Sequence, residues 1–507
     1  MKINDSGHTF CRLTLRRGFC FSRAGLSHPS TKVHSMWKTF THKLIGTPPE
    51  SNLEHVEENA GRYSLGFGAQ NIGDQIVSAK TVLPWFLGLV AAPAWVLPLL
   101  VPIRESGSML PQAALRPWIQ ARTRRLPLLL LGSAGQALAC FFMALTAIFA
   151  SGALAGILIL ACLAMLSLCR ALVSLTSKDI AGRVVPKGYR GRLTGFATTV
   201  SGGVAIIVGI VLQALQSKLT PTLFATLFVI AAASWALSLW FFRGIRELGG
   251  SASVKKQVAE EQQAQQEAQE AMQTPAAYVR EVVQDIRELL AGDRTFRSFV
   301  LVRTLLLTSA LSPTFLVAMA AANQDRAGNS VATALFTGLG TFVIASGVAS
   351  LLAGKVSGWL SDVSSRNTLA GAALLATVVL VITVALSFVI SLVDAAQASS
   401  PAPHWLFTVL MWWLPVAFFV VSLAHAAIRV ARSTYVVDMA EGDQRTRYVS
   451  VANTLMGVLL LIVGAVTSLL AVFNPVWPLA ALAGLGLLGA VLARRLPEVS
   501  ADRSELA

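Results

Sequence analysis

At 507 residues a soluble chain would divide into about three domains, yet 54% of the side chains are hydrophobic and only 13% are charged. Apolar runs of about twenty residues recur from end to end, the length at which a helix crosses a bilayer with every backbone polar group satisfied internally, so a soluble multidomain protein is excluded. The formal net charge of +15 does not argue for nucleic-acid binding, because the basic residues are spread between the apolar runs, where membrane topology puts them, and form no single patch.

Residues 1–35 carry Lys2, Arg12, Arg16, Arg17, Arg23 and Lys32 against one acid, Asp5, and have no long apolar core. They are neither a signal peptide nor a span, and are read as sequence upstream of a start at Met36. Residues 36–72 are polar, with Pro48-Pro49 and Gly66-Phe67-Gly68, so 1–72 is expected to be a cytoplasmic tail. From Ile76 to Ile103 an apolar run is broken by Lys80, Pro84, Pro93, Pro98 and Pro102. Read as one helix, it leaves 104–125 as a loop and gives the chain eleven spans. Read as two, the second helix continues through Arg104, Glu105 and Gln112 to about Trp118, and the spans number twelve. Echoes in the second half favour two helices: Lys80-Thr81 matches Arg303-Thr304, while Trp118 and Arg125 match Trp359 and Arg366 at one constant offset.

The remaining apolar runs are 126–150, 153–176, 194–215, 220–242, 296–320, 332–357, 367–391, 405–428, 448–472 and 476–493. Arg and Lys crowd alternate loops, at 116–125, 178–192, 366, 432–447 and 494–495, whereas the other set offers only Lys218 and Arg326. Positive loops stay on the cytoplasmic side, so both termini are expected to lie inside the inner (plasma) membrane. Residues 243–295 read as a cytoplasmic linker. Its Val254–Met272 stretch is rich in Ala, Gln and Glu and favours a solvated helix. Tyr278, Val282, Ile286 and Leu289 then recur at helical spacing, an amphipathic piece suited to the membrane surface.

One pattern occurs twice. Arg170 precedes Asp179 with eight residues between them, and Arg429 precedes Asp438 in the same way; each pair runs into a basic turn, Arg190 with Arg192 and Arg445 with Arg447. A self-match half a chain apart marks a duplicated unit. The expected fold is an all-α polytopic membrane protein, twelve transmembrane helices as two pseudo-symmetric six-helix bundles at 73–242 and 296–495. The linker joins them, and 496–507 forms a C-terminal cytoplasmic tail.

The stretch Gly358-Trp359-Leu360-Ser361-Asp362-Val363-Ser364-Ser365-Arg366 resembles the loop motif of the major facilitator superfamily, in which Gly-x-x-x-Asp precedes a basic residue between helices 8 and 9. Val363 departs from it, since a basic residue is usual there. In the first-half copy Pro117 and Ala121 replace the Gly and the Asp, and only Arg122 to Arg125 keep the charge. Arg170 stands where that family often has an arginine in helix 4. The resemblance implies a secondary transporter with a central cavity between two halves, and does not imply a substrate.

Candidate functional residues fall into two sets. The gating set is Asp362 and Arg366, a helix-end carboxylate and an arginine four residues on that either latch two helices or form an ordinary surface turn. Arg125 belongs with them, as do Asp179 and Asp438, which cap or salt-bridge cytoplasmic helix ends. The cavity set rests on the cost of charge inside a span. Glu105 is the one acid placed well within a span and is the candidate proton carrier; Ser108 and Gln112 share its helical face, with Arg104 beside it. If 104–112 is a loop, both charges are simply solvated. Lys80 and Arg303 sit in the first helix of each half, to bind an anion or to pair with Asp74 or Glu105. Arg170 heads a polar face in the fourth span. His425, Arg429 and Arg432 share one face of the tenth, as cavity groups or as a positive-inside anchor.

Neither P-loop, metal-ligand cluster nor nucleophile–base set occurs in the sequence, and Cys11, Cys20, Cys140, Cys162 and Cys169 make no disulfide framework. No enzyme activity, cofactor or metal is expected. The reading is a secondary active transporter moving a small solute by alternating access, ion- or proton-coupled, with an organic anion as the candidate solute. Its partners are that solute and the lipid bilayer, not nucleic acid, and a monomer is expected. The alternative is a non-transporting sensor or scaffold of the same fold.

Overall fold

The computed structural model describes residues 37, 39, 41–43, 55–120, 124–185, 190–215, 218–246, 275–323, 338–396, 404–438, 443–474 and 476–498. No strand occurs among them. The first half comprises α1 (Val56–Ile76), α2 (Val82–Leu89), α3 (Leu100–Gln120), α4 (Leu126–Phe149), α5 (Gly152–Val184), α6 (Arg190–Ala214) and α7 (Pro221–Arg243). After α8 (Pro275–Gly292), the second half comprises α9 (Arg294–Leu305), α10 (Thr308–Asn323), α11 (Leu339–Val363), α12 (Ser365–Ala396), α13 (His404–Asp438), α14 (Asp443–Phe473) and α15 (Val476–Ala493). Eight passes are long and apolar enough to cross a membrane: α4, α5, α7, α9 with α10, α12, α13, α14 and α15. Four more helical passes run among them with shorter or more polar cores: α1 with α2, then α3, α6 and α11.

Those four lie along the seam between the halves, where α6 packs on α11, α3 on α14 and α2 on α10. A helix facing another helix and a polar cavity does not need the all-round apolar surface that lipid demands.

The first helix begins at Val56, not at 73, which corrects the expected tail boundary. Residues 56–72 look like a tail because they are polar and glycine-rich, but each feature has a partner. A Cβ on Gly73 would lie 2.8 Å from the Trp235 ring, and Gly66 lies as close to the ring of Phe242. Two glycines seven residues apart thus receive two aromatic rings seven residues apart on α7, the close approach that small residues permit in membrane bundles. Gln70 donates to Ser133 Oγ at 2.8 Å, and Asn59 both donates to and accepts from the Arg246 backbone at 3.1 and 2.9 Å. Helix α3 runs unbroken through 104–112, so the two-helix reading of 76–120 holds.

The linker also differs from expectation. Ile286, Leu289 and Leu290 of α8 pack against the cluster of Phe296, Phe299 and Val451, while the side chains of Tyr278 and Val282 lie outside those described. Asp293 caps α9 by accepting from the Phe296 N–H at 2.9 Å, and the Tyr448 hydroxyl donates to its other oxygen at 2.6 Å. Burial pushes that carboxyl up, but the Tyr448 and backbone hydrogen bonds outweigh it and hold it below the usual aspartate range. The stretch Val254–Met272 lies outside the described residues.

The two halves meet most closely at the end carrying the connections 90–96, 150–151 and 215–220, called distal here because it is opposite Val56. There Ser468 Oγ donates to Trp95 O at 2.5 Å and Thr341 Oγ1 to Gln213 Oε1 at 3.2 Å, while nearer the middle Thr314 Oγ1 donates to Ala79 O at 3.4 Å. Gly209 of α6 faces Gly340 of α11, and a Cβ on Gly209 would stand 2.9 Å from Gly340 O and 2.8 Å from Ile344 N. The Ile344 side chain is also close, with Cγ1 at 2.6 Å, but moving it would not clear the two backbone obstacles. Gly209→Val is therefore expected to pry the distal ends apart. Spin labels on Lys218→Cys and Val476→Cys in a cysteine-free background should report a longer distance, and an unchanged distance would show that the seam does not hold this end closed.

Candidate functional site

The first helix of each half is broken. Between α1 and α2, residues 77–81 leave helical geometry; between α9 and α10, residues 306–307 do so. Interrupted helices expose backbone dipoles, and in membrane bundles such backbone is tolerated where it faces a cavity or buried protein. A cavity of about 470 Å³ lies here, between the halves. One wall comes from Asn71, Asp74 and Gln75 of α1, Ser78 and Lys80 of the break, Arg104 and Glu105 of α3, Arg170 of α5 and Ser201 of α6. The other comes from Ser346 and Ser350 of α11 and from Ser422, His425, Arg429 and Arg432 of α13.

Asp74 organises the first wall. Its Oδ1 takes Arg104 Nη2 at 2.7 Å, and its Oδ2 is held by Arg170. One carboxylate thereby joins α1, α3 and α5, with Asp74 and Arg104 side chains only 14% and 12% exposed. A buried carboxylate needs such partners, since desolvation alone would cost several kcal/mol. The pairing also commits two arginines that the sequence reading leaves open to solute.

Glu105 points into the same cavity from the next position of α3. It feels Lys80, Arg104, Arg170 and Arg432 electrostatically, but among the described residues its carboxylate makes no contact ion pair with any of them. Lys80, Arg429 and Arg432 likewise have no contact carboxylate among the described residues. The cavity lining therefore holds five cationic side chains against two carboxylates, a net of three positive charges with His425 neutral. On the second wall the charged groups are Arg429 and Arg432, which share one face of α13 with the neutral His425 at i, i+4 and i+7.

Several expected residues lie elsewhere. Arg303 does not line this cavity; it is buried behind it and donates through Nη2 to Asn453 Oδ1 at 2.9 Å. Gln112 turns onto its own helix, donating to Ser108 O at 2.7 Å, and is not among the lining residues. Its face is shared with Glu105 by spacing, but the backbone carbonyl satisfies it first. Of the gating set, Arg125 Nε meets Asp179 Oδ2 at 2.5 Å, binding the start of α4 to α5. Arg366 Nε lies 3.5 Å from Glu498 Oε2, so its carboxylate partner is in the C-terminal segment. The side chains of Asp362 and Asp438 lie outside those the structure describes.

The sequence reading missed Asn71, Asp74, Gln75 and Ser78 as lining residues. They recur at i, i+3, i+4 and i+7, a polar stripe on the side of α1 away from the helix-packing glycines. That signal is present in the sequence, but it becomes readable only if the helix starts well before Ile76.

No family model and no curated relative matches this chain. Solved structures do. A D-xylose–proton symporter superposes with a TM-score of 0.59 at 16% identity, over 87% of this chain and 98% of its own. A POT family transporter bound to a thioalcohol-conjugated peptide gives 0.59 at 14% identity, over 86% and 94%. The inward-open xylose transporter from E. coli gives 0.56 at 13%, over 86% and 96%. The chain has the major facilitator fold. It is a multi-pass membrane protein, and its two halves are arranged as the loop-motif resemblance implies.

Within this fold the Asp74 triad is a structural prerequisite for the site. Asp74→Ala leaves the buried Arg104 and the partly exposed Arg170 without a counter-charge and is expected to cost about 3 kcal/mol, most of it from Arg104. Arg170→Ala, which leaves the Asp74–Arg104 pair, should cost less, and replacing all three residues by apolar ones should recover most of the loss. Thermal unfolding of detergent-purified variants measures this order; Arg170→Ala proving the worst of the three would contradict it.

Proposed function

We propose that this protein is a secondary active transporter that carries a small organic anion through the central cavity by alternating access. The observation that supports it best is the cavity at the seam, with one charged wall from each half and an excess of positive charge. Cations inside a bilayer are costly unless paired. Asp74 neutralises Arg104 and Arg170 in part, so the groups available to a solute are Lys80 on one wall and Arg429 and Arg432 on the other. An anion bridging them would contact both halves, which is what coupling occupancy to rocking of the halves requires. The solved structures of this fold include a xylose–proton symporter and peptide transporters, which is consistent with solute movement by this chain.

Proton coupling is assigned to Glu105. It is the one cavity carboxylate without a contact partner among the described residues, and it faces Lys80. When an anion occupies Lys80, Glu105 loses that partner and gains a like charge nearby, so proton uptake on Glu105 accompanies anion binding. The proton would then travel with the solute. Arg125 with Asp179 acts as a gating contact at the end opposite the distal seam. The protein works as a monomer in the inner membrane with both termini cytoplasmic. A sensor or scaffold reading would be favoured by a packed seam, and the 470 Å³ cavity argues against it.

Uptake by protein reconstituted in liposomes tests the assignment. Lys80→Gln and Arg429→Gln should each lower the initial rate of anion uptake by about tenfold or more, mainly through KM. Glu105→Gln should leave binding intact but make net flux indifferent to an imposed pH gradient. Preference for a neutral solute, with both cation variants transporting normally, would reject the anion; pH-driven accumulation persisting in Glu105→Gln would remove that residue from coupling.

A further inference from the structure

Behind the second wall lies a smaller cavity that the transport reading does not use. It has a volume of about 10 Å³ and is bounded by α9, the α9–α10 junction, α12, α13 and α14. That is room for one water-sized centre and for no polyatomic group. Phe299, Leu306 and Ile428 form its apolar side. The polar side is Arg303, Arg432, His425 and Ser309.

The charges here do not balance. Arg303 is only 6% exposed, and its Nε has no hydrogen-bond partner, while Nη2 is satisfied by the neutral amide of Asn453. Arg432 makes no hydrogen bond or ion pair among the described residues. The acid acting on Arg432 is Glu105, across the larger cavity. Ser309 Oγ and His425 Nδ1 lie 3.2 Å apart and are engaged with each other, so neither supplies a negative charge. Two guanidiniums thus line one small, mostly apolar space with no carboxylate in its wall. A water there would satisfy a hydrogen bond of Arg303 Nε but would compensate neither charge, and an uncompensated buried charge is strongly destabilising.

We infer that this cavity is a binding site for a monatomic anion, chloride being the species of the right size and charge. The ion would accept from Arg303 Nε and Arg432. It would tie the broken α9–α10 helix to α13, the helix that carries the cationic cavity wall. Because His425 and Arg432 line both spaces, the ion would sit beside the solute path without being the solute. The inference stands whether or not the transported molecule is an anion.

The test is thermal unfolding of purified full-length protein in sodium chloride, sodium bromide or sodium gluconate at equal ionic strength. Chloride and bromide should raise the melting temperature saturably, by about 2 °C or more, relative to gluconate. The response should vanish in Arg303→Gln and in Arg432→Gln, but persist in Arg429→Gln, whose side chain reaches only the larger cavity. Equal melting in chloride and gluconate would overturn the site, as would an undiminished chloride response in Arg303→Gln. If neither variant can be purified, anomalous diffraction from wild-type crystals grown in bromide decides. A peak beside Arg303 Nε supports the site, and a peak only in the larger cavity, or none, rejects it.

Discussion

Much of the first half depends on one buried carboxylate. Asp74 is the point at which α1, α3 and α5 are joined, and it is joined by charge rather than by packing. Removing either arginine leaves a pair, whereas removing the acid leaves two cations facing each other. That constraint explains why α1 is polar yet helical. Its stripe of Asn71, Asp74, Gln75 and Ser78 faces the cavity, and its glycines face the aromatic rings of α7. A helix so divided has no face left for lipid, so α1 must be enclosed by its neighbours.

The same division separates what the sequence revealed from what it concealed. Lipid-facing helices such as α4, α12 and α15 are long apolar runs, and their spans could be read directly. The helices at the seam were harder, because hydropathy reports contact with lipid and these helices have little. The second-half echoes nevertheless recovered α3, and with it the placement of Glu105 on a helix. They could not recover residues 56–72, where composition imitates a solvated tail and partners such as Phe242 and Ser133 are far away in sequence. At the site, spacing on single helices worked for His425, Arg429 and Arg432, which α13 does present together. It failed where the partner lies on another helix. The pairing of Arg104 and Arg170 with Asp74, and of Arg366 with Glu498, is tertiary information, as is the diversion of Gln112 to a backbone carbonyl.

The duplication also proves to be one of backbone and not of chemistry. Lys80 and Arg303 correspond by sequence, and both lie close to the break in the first helix of their half. Lys80 lines the large cavity on the same wall as Glu105. Arg303 is one layer deeper, against Asn453, and faces the small cavity instead. The repeated Arg-x8-Asp spacing diverges in the same way. Arg170 is committed to Asp74, while Arg429 meets no acid among the described residues, the described part of the second-half wall holding no carboxylate. The helix breaks recur in both halves, whereas the charges beside them differ.

This asymmetry has a mechanical consequence. If both walls carried balanced charge, closing one on the other would gain little from a solute. On the proposed transport reading, the first wall keeps one net positive charge beside its two acids and the second is cationic, so Glu105 and an anionic solute would be alternative counter-charges for the same cations. Without solute, Glu105 would be drawn toward Lys80 on its own wall and Arg432 across the gap; with solute, the anion would take that place and the carboxylate could be discharged by a proton. For a monovalent solute, either arrangement would hold the net charge between the halves at three positive instead of four, which eases their approach. The state left with cations facing cations and a protonated Glu105 is the costly one, and its cost is what would keep a proton from crossing alone.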